Sequence, residues 1–401
     1  GQGFEGGVPP EKLAVLRDHA LHLRLLEHDL RDEDVVGIVG VPPRQVTAVP
    51  AVPAEQPALE ALANRHVWKR QVAHAGHCDR LAQGSQVDIP RRRVKNEAMP
   101  NQMALTALHL GQGAVMEETC GWLLPAHYGD PAAEHRAVRE GVGLADRSLV
   151  GKAVVTGRDR AAFLHGMVTN DIKGLQPGQG CPAAFLDAHG KVVSLLSVYA
   201  LEDRLLLELP PGTTEKVLQV IDHFLISEKA YFEAADEAFI VLSIQGPGAP
   251  ALIERLAGRA LVLAPYAHVE VTMAGAPVRV IHRAEFGGAG YECWVAPEHG
   301  EALWRALREG GARPVGVGAW EVLRVEAGVP LYGHDVDETV ILPETRLEAL
   351  VSYTKGCYIG QEVVARVKYR GHVNRALAGL VLEGGRVPRH GATLRAEGKE
   401  I

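Results

Sequence analysis

The four residues Asp187-Ala-His-Gly190 limit the possible folds of this chain more tightly than any other stretch of comparable length. They separate two apolar runs, Ala183 to Leu186 and Lys191 to Ala200, and an Asp-to-Gly turn between such runs closes a β-hairpin. The flanking text extends the hairpin into a unit of mixed structure. Gly151 to Gly157 reads as a short strand between turn signals, following a helix end at Leu144 to Ser148. Asp159 to Val168 has the spacing of an amphipathic helix with Phe163, Leu164 and Met167 on its buried face, closed by the cap or turn Thr169-Asn170-Asp171. Beyond the loop Leu175 to Gly180 and the hairpin come a strand at Arg204 to Leu209 and a helix at Thr213 to Phe224. This mixture defines an α+β unit.

A second such unit follows, with strands at Ala238 to Gln245 and Pro277 to His282 and helices at Ala249 to Leu256, Gly300 to Glu309 and Trp320 to Ala327. A loop-rich run through Pro330, Gly333 and Pro343 then leads to the segment 355–362. From Arg375 the text is β-like, at Ala376 to Leu382 and Ala392 to Ala396. With 401 residues, 47% of them hydrophobic, the chain has material for two or three domains. The expected division is 1–115 without assignment, 116–372 as a region of two lobes (about 145–235 and 236–372), and 373–401 as the start of a C-terminal β-domain.

The first segment reads differently from the remainder. Only Glu11 to Leu30 has helical spacing, and the expectation is a disordered stretch or one upstream of a true start at Met116. Two functional readings of it are a metal site from His74, His77 and Cys78, which lacks a fourth ligand, and a basic tail from Arg91 to Lys95. A formal net charge of −7 argues against a general nucleic-acid surface, although Lys368, Arg370, His372 and Arg375 make a local basic patch. The five cysteines (Cys78, Cys120, Cys181, Cys293, Cys357) are odd in number, widely spaced and contain no C-x-x-C pair, which fits a reducing cytoplasm. No run reaches the ~18 apolar residues of a membrane span.

Lys355-Gly-Cys357-Tyr-Ile-Gly-Gln-Glu362 places one thiol between glycines, just before or within the first turn of a helix that starts near Val363. Unpaired N–H groups and the helix dipole there favour a thiolate, and Gly356 and Gly360 leave room for a ligand beside the sulfur. There is no P-loop, no dinucleotide fingerprint and no H-E-x-x-H, and no placed base: His334 and His372 have no local support in that role.

That octapeptide, continued by Val364-Ala-Arg366 and Lys368-Tyr-Arg-Gly371, resembles the YgfZ-type folate-binding family, a relative of the aminomethyltransferase (T-protein) of glycine cleavage. Phe163 to Asp171 resembles the T-protein's first folate segment, which implies folate contact by Asn170 and Asp171; as a bare motif it is also an ordinary turn cap. Gly287-Gly-Ala-Gly-Tyr-Glu292-Cys-Trp is similar to the glycine-rich turn whose glutamate holds the pterin ring, so Glu292 is the implied partner, although a lone strand glutamate usually faces solvent. One position departs from the T-protein pattern: Trp320 stands where an arginine is expected, and the ring either stacks on a flat ligand or fills the core.

The resemblance implies a T-protein-like fold of two α+β lobes followed by a truncated C-terminal β-barrel, with tetrahydrofolate or a one-carbon derivative as cofactor. It further implies assistance to iron–sulfur cluster assembly or repair, with indirect effects on tRNA modification, iron–sulfur enzymes or cluster carriers as partners, a cytoplasmic location, and Cys357 as the working thiol. Two alternatives stand: a tetrahydrofolate-dependent aminomethyltransferase, and a non-catalytic folate-binding scaffold in which Cys357 is buried and inert.

Overall fold

The computed structural model describes residues 100–119, 121–380, 392–393, 395–396 and 399–400. The helix expected at Glu11 to Leu30, the His74, His77 and Cys78 triplet and the basic run 91–95 lie outside the described residues.

The hairpin is present. Gly180–Leu186 pairs antiparallel with Val192–Ala200, and Asp187 holds the turn by accepting the amides of His189 and Lys191 at 2.8 and 2.9 Å. Gly190 has φ +77°, which a side chain rarely adopts. Leu205–Leu209, Gly151–Thr156 and Tyr231–Ala234 complete an antiparallel sheet of five strands. A second sheet runs His268–Met273, Ala276–His282, Gly290–Val295, Ile240–Gln245, Gly143–Asp146, Arg313–Pro314, antiparallel except for its last pair. Gly143–Asp146 is a strand, not the end of a helix as its sequence suggested. Its four residues are too few to show a period, and its pairing with Ile240–Gln245 is long-range.

Each sheet packs its main helices on one face, and at the Gly143–Asp146 edge of the second sheet Ala145 also meets helices Pro131–Glu140 and Val317–Glu326 on the other. Leu196, Val198, Leu205, Leu207 and Leu209 pack on helices Arg160–Met167 and Thr214–Phe224. Ile240, Leu242, Ile244, Cys293 and Val295 pack on Ala249–Ala257 and Pro297–Glu309. The opposite faces meet each other: Val150, Tyr199 and Leu206 of the first layer join Val241, Ile281 and Trp294 of the second. Because side chains alternate along a strand, the inward residues between these apolar ones lie in the layer between the sheets. They are polar: Lys152, Ser197, Glu208, Ser243, Gln245 and Glu292 are all buried there.

Part of the segment without a sequence assignment belongs to this fold. Helix Thr106–Gly111 carries the buried His109, which joins Asp146 at 2.9 Å and the Tyr128 hydroxyl at 2.9 Å. The loop-rich run from 329 covers the hairpin end of the first sheet, with Val336, Leu342, Leu350 and Val364 against Ala184, Leu186 and Val192. Most of the barrel expected from 373 lies outside the described residues; within them, 376–380 forms no strand and Arg395–Ala396 pairs with Lys399–Glu400.

Candidate functional site

Strand Gly290–Val295 sends Tyr291, Cys293 and Val295 to the helices and Glu292 and Trp294 to the layer between the sheets. Glu292 is therefore 0% exposed, not solvated. Gly290 makes its approach possible: a Cβ there would lie 2.1 Å from Gln245 Oε1 and 2.6 Å from the Arg283 carbonyl. The centre of the layer is Arg283. Its Nη1 donates to Ser197 Oγ (3.0 Å), Tyr199 Oη (3.2 Å) and the Glu208 carboxylate, and its Nε to Glu285 (2.6 Å). Tyr199 donates to Glu208 at 3.0 Å.

Three carboxyls thus share one guanidinium, unequally. Burial raises Glu285, but the charges of Arg283 and Arg147 outweigh it and hold that carboxyl below its ordinary range. Glu292 is 3.8 Å from Arg283, too far for a hydrogen bond. Burial first, then the charge of Glu208, push it up to about 8, so it carries a proton at neutral pH. Among the described residues its Oε2 receives one long bond, from Trp294 Nε1 (3.4 Å), and its Oε1 has no hydrogen-bond partner. An unmet buried polar atom costs ~1–3 kcal/mol, and a protonated carboxyl is both donor and acceptor. The interior thus holds an oriented, unsatisfied carboxyl.

Trp320 lies on helix Val317–Glu326, half-buried. Phe286, from the turn after Arg283, meets it edge-on with ring centres 4.7 Å apart, and the Arg147 guanidinium sits 4.9 Å above its ring. It packs with the cluster of Val138, Ala145, Val315 and Leu323 while keeping some exposure.

Asp171 and the thiol segment form a second centre. Thr169 Oγ1 donates to the Leu350 carbonyl (2.6 Å), and Asn170 Nδ2 donates to the carbonyls of Pro182 (2.7 Å) and Ala349 (3.2 Å). Lys355 caps the end of helix Arg160–Met167 by donating to the carbonyls of His165 and Val168. Asp171 accepts the Gly174 amide at 3.0 Å, lies 3.2 Å from His165 Nδ1, and keeps 46% of its side chain exposed. Asn170 is thus a staple between loops and Asp171 a carboxylate facing outward. Burial lowers the Lys355 amine to about 8, with Asp171, Cys181 and Cys357 opposing. Burial pushes the Cys181 thiol up to about 12.

Cys357 is exposed in the loop ahead of helix Gln361–Arg370, whose N-cap is Gly360. It lies outside the first turn, so the helix-terminus argument for a thiolate does not apply. Gly360 serves packing and not ligand access: at φ +80° it abuts the hairpin, where a Cβ would meet the Asp187 carbonyl at 2.5 Å. Gly356, at φ +98°, has open space beside it. The exposed thiol also differs from the burial that the scaffold reading requires.

The structure therefore gathers the sequence candidates into two groups, Glu292 with Trp320, and Asn170 and Asp171 with the thiol segment. A single strand pair links them: Asn170 bonds Pro182, Pro182 pairs with Ser197, and Ser197 accepts from Arg283. Sequence reasoning missed Arg283, Glu208, Glu285 and Arg147. A carboxylate inside Leu205-Leu-Leu-Glu-Leu209 was the available signal, since a strand apolar on both faces has no solvated side for it. Among the described residues no group of three or more His, Cys, Asp or Glu is arranged to hold a metal ion. No described helix is long and apolar enough to cross a membrane.

The sequence matches the GCVT N-terminal domain family over residues 105–355. An aminomethyltransferase of Streptomyces avermitilis is 33% identical over 314 residues, covering 75% of this chain and 84% of the relative. One from Rippkaea orientalis is 32% identical over 298 residues, covering 72% and 80%. Among solved structures, the glycine cleavage system aminomethyltransferase T of Bartonella henselae aligns with a TM-score of 0.62 at 23% identity, covering 68% of this chain and 75% of that one. At that identity the likeness is one of fold.

Proposed function

The chain belongs to the GCVT N-terminal domain family, and on that premise we propose that it is a tetrahydrofolate-dependent, aminomethyltransferase-like transferase. The relatives favour this over the iron–sulfur reading that the thiol segment alone suggested. Tetrahydrofolate is the one-carbon carrier of the aminomethyltransferase family. When bound, it supplies the nitrogens that receive the one-carbon unit.

The observation that carries the proposal is the partnerless Oε1 of the fully buried Glu292. A protonated carboxyl facing an aminopyrimidine edge offers one donor and spare acceptors, and ligand N–H donors would satisfy the oxygen that the protein leaves unmet. Trp320, half-buried beneath the Arg147 guanidinium, adds an aromatic wall beside that cation. Asp171, outward-facing and fixed by the Gly174 amide, is placed to orient a ligand amine and to stabilise positive charge at nitrogen.

Calorimetric titration of the full chain with tetrahydrofolate tests this. Binding is expected, weakened at least ~10-fold by Glu292→Ala, about 1.4 kcal/mol. Tetrahydrofolate-dependent release of ammonia from an aminomethylated lipoyl carrier is the activity readout. Binding without turnover would sink the transferase and leave a folate-binding protein.

A second reading rests on Trp320 together with the exposed Cys357: folate-linked assistance to iron–sulfur enzymes or cluster carriers. Full rescue of iron–sulfur enzyme activity by Cys357→Ser in cells lacking the protein would exclude it.

A further inference from the structure

Arg147 follows strand Gly143–Asp146 in a turn that is held from both sides. The Asp146 carboxylate accepts the Ser148 amide at 2.9 Å and the Ser148 hydroxyl at 2.5 Å, and its other oxygen takes His109 Nε2 at 2.9 Å. Ser148 Oγ in turn accepts the Val241 amide at 3.1 Å, and the Arg147 amide donates to the Val241 carbonyl at 2.8 Å. The backbone beneath the guanidinium is thus fixed to the central strand of the second sheet.

The side chain is placed but not used. Its guanidinium lies 4.9 Å above the Trp320 ring, and its Nε is buried with no hydrogen-bond partner among the described residues. Among the described residues it forms no ion pair within 4 Å, whereas Arg283 is saturated by Ser197, Tyr199, Glu208 and Glu285. Its charge nevertheless acts on Glu285 and Glu292, the same buried carboxyls that face Arg283. A guanidinium is a planar, donor-only fork, and a buried N–H without an acceptor is costly unless a ligand supplies one. The complementarity is then two-sided. Glu292 can meet N–H donors, and Arg147 needs oxygen.

We propose that Arg147 is a ligand-contacting, specificity-determining residue whose guanidinium, laid on Trp320, donates to an acceptor oxygen at the edge of a planar ligand that presents N–H donors to Glu292. This rests on the folate-binding reading and adds to it the residue that selects for the oxygen. Cation–π contact with Trp320 keeps the fork in plane before the ligand arrives, which lowers the ordering cost of binding.

The test is calorimetric titration of tetrahydrofolate into the full chain and into Arg147→Gln, beside thermal melts. Arg147→Gln is expected to weaken binding at least ~10-fold at an unchanged melting temperature; a purely structural role would lower the melting temperature together with the affinity. Affinity within twofold of the parent, or a loss of affinity matched by a lowered melting temperature, overturns the inference while leaving folate binding intact. No binding by the parent chain overturns both. Should Arg147→Gln fail to fold, Arg147→Lys decides, since it keeps the charge but loses the fork: a loss of threefold or more is expected, and parity overturns the assignment.

Discussion

The two centres of this molecule place their carboxylates under opposite physical conditions. Glu292 lies between two sheets, 0% exposed, with a guanidinium at 3.8 Å that does not bond it. Asp171 sits at the rim with 46% of its side chain exposed, held by one backbone amide and a nearby histidine. Strand packing fixes the first; loop staples fix the second. The interior centre thus gives a rigid, desolvated element in which a missing partner is costly, while the rim centre gives groups that solvent can reach. Recognition inside and contact with solvent at the edge suit the transferase proposed above.

The comparison breaks most visibly at Arg283. Arg283→Met leaves Glu208, Glu285 and Glu292 between the sheets without their shared cation, and removing one partner of a buried ionic cluster costs roughly 3–5 kcal/mol. Asp171→Ala, at the rim, is expected to cost less than about 1 kcal/mol. Urea unfolding of both variants checks this; equal losses would mean that the layer between the sheets is wetter than its geometry shows.

A smaller effect is the sign of the pH dependence. Glu292 titrates at about 8 in the folded chain against an ordinary 4.5. Between those values the folded state keeps a proton that the unfolded state has lost. Its contribution is therefore fully present below 4.5, falls as pH rises by at most about 1.4 kcal/mol per pH unit, and is gone above about 8. Lys355 runs the other way: its amine is lowered from 10.5 to about 8, so its contribution is present above 10.5 and lost as pH falls through about 8. Glu292→Gln should flatten the decline between pH 4.5 and 8, and Lys355→Met should leave that window unaltered. Stability curves measured across it that are parallel for the parent and Glu292→Gln would show that Glu292 is not the titrating group.

The legibility of the two centres also differs. The hairpin was readable because Asp187 and Gly190 satisfy a local rule, and the helix Thr214–Phe224 because its apolar stripe is local as well. Asn170, Asp171 and the thiol segment were found because their segments are contiguous text. The layer between the sheets was not readable, since no local pattern says that both faces of Gly290–Val295 are covered; that follows only when Tyr199 and Leu206 arrive from the other sheet. The same blindness hid Arg283 and Arg147, whose partners reach them from the facing sheet and from helix Val317–Glu326. Cys357 shows the reverse error, because a helix start inferred from Val363 placed the dipole at a thiol that lies ahead of Gly360.

The smallest expected effect sharpens the comparison at the thiols. Cys293 is fully buried on the helix-facing side of its strand, where burial pushes its thiol far up, and Cys181 is held at about 12. Neither offers a thiolate at neutral pH, and only the ionised form attacks an alkylating reagent. Cys357 is exposed beside the open space at Gly356. Brief treatment of the native chain with iodoacetamide, followed by peptide mass spectrometry, should therefore label Cys357 well ahead of Cys181 and Cys293, while Cys357→Ser should change unfolding free energy by less than about 0.5 kcal/mol. Comparable labelling of Cys293 would mean that the second sheet opens on the timescale of the reaction, and the contrast between a closed interior and an open rim would fail with it.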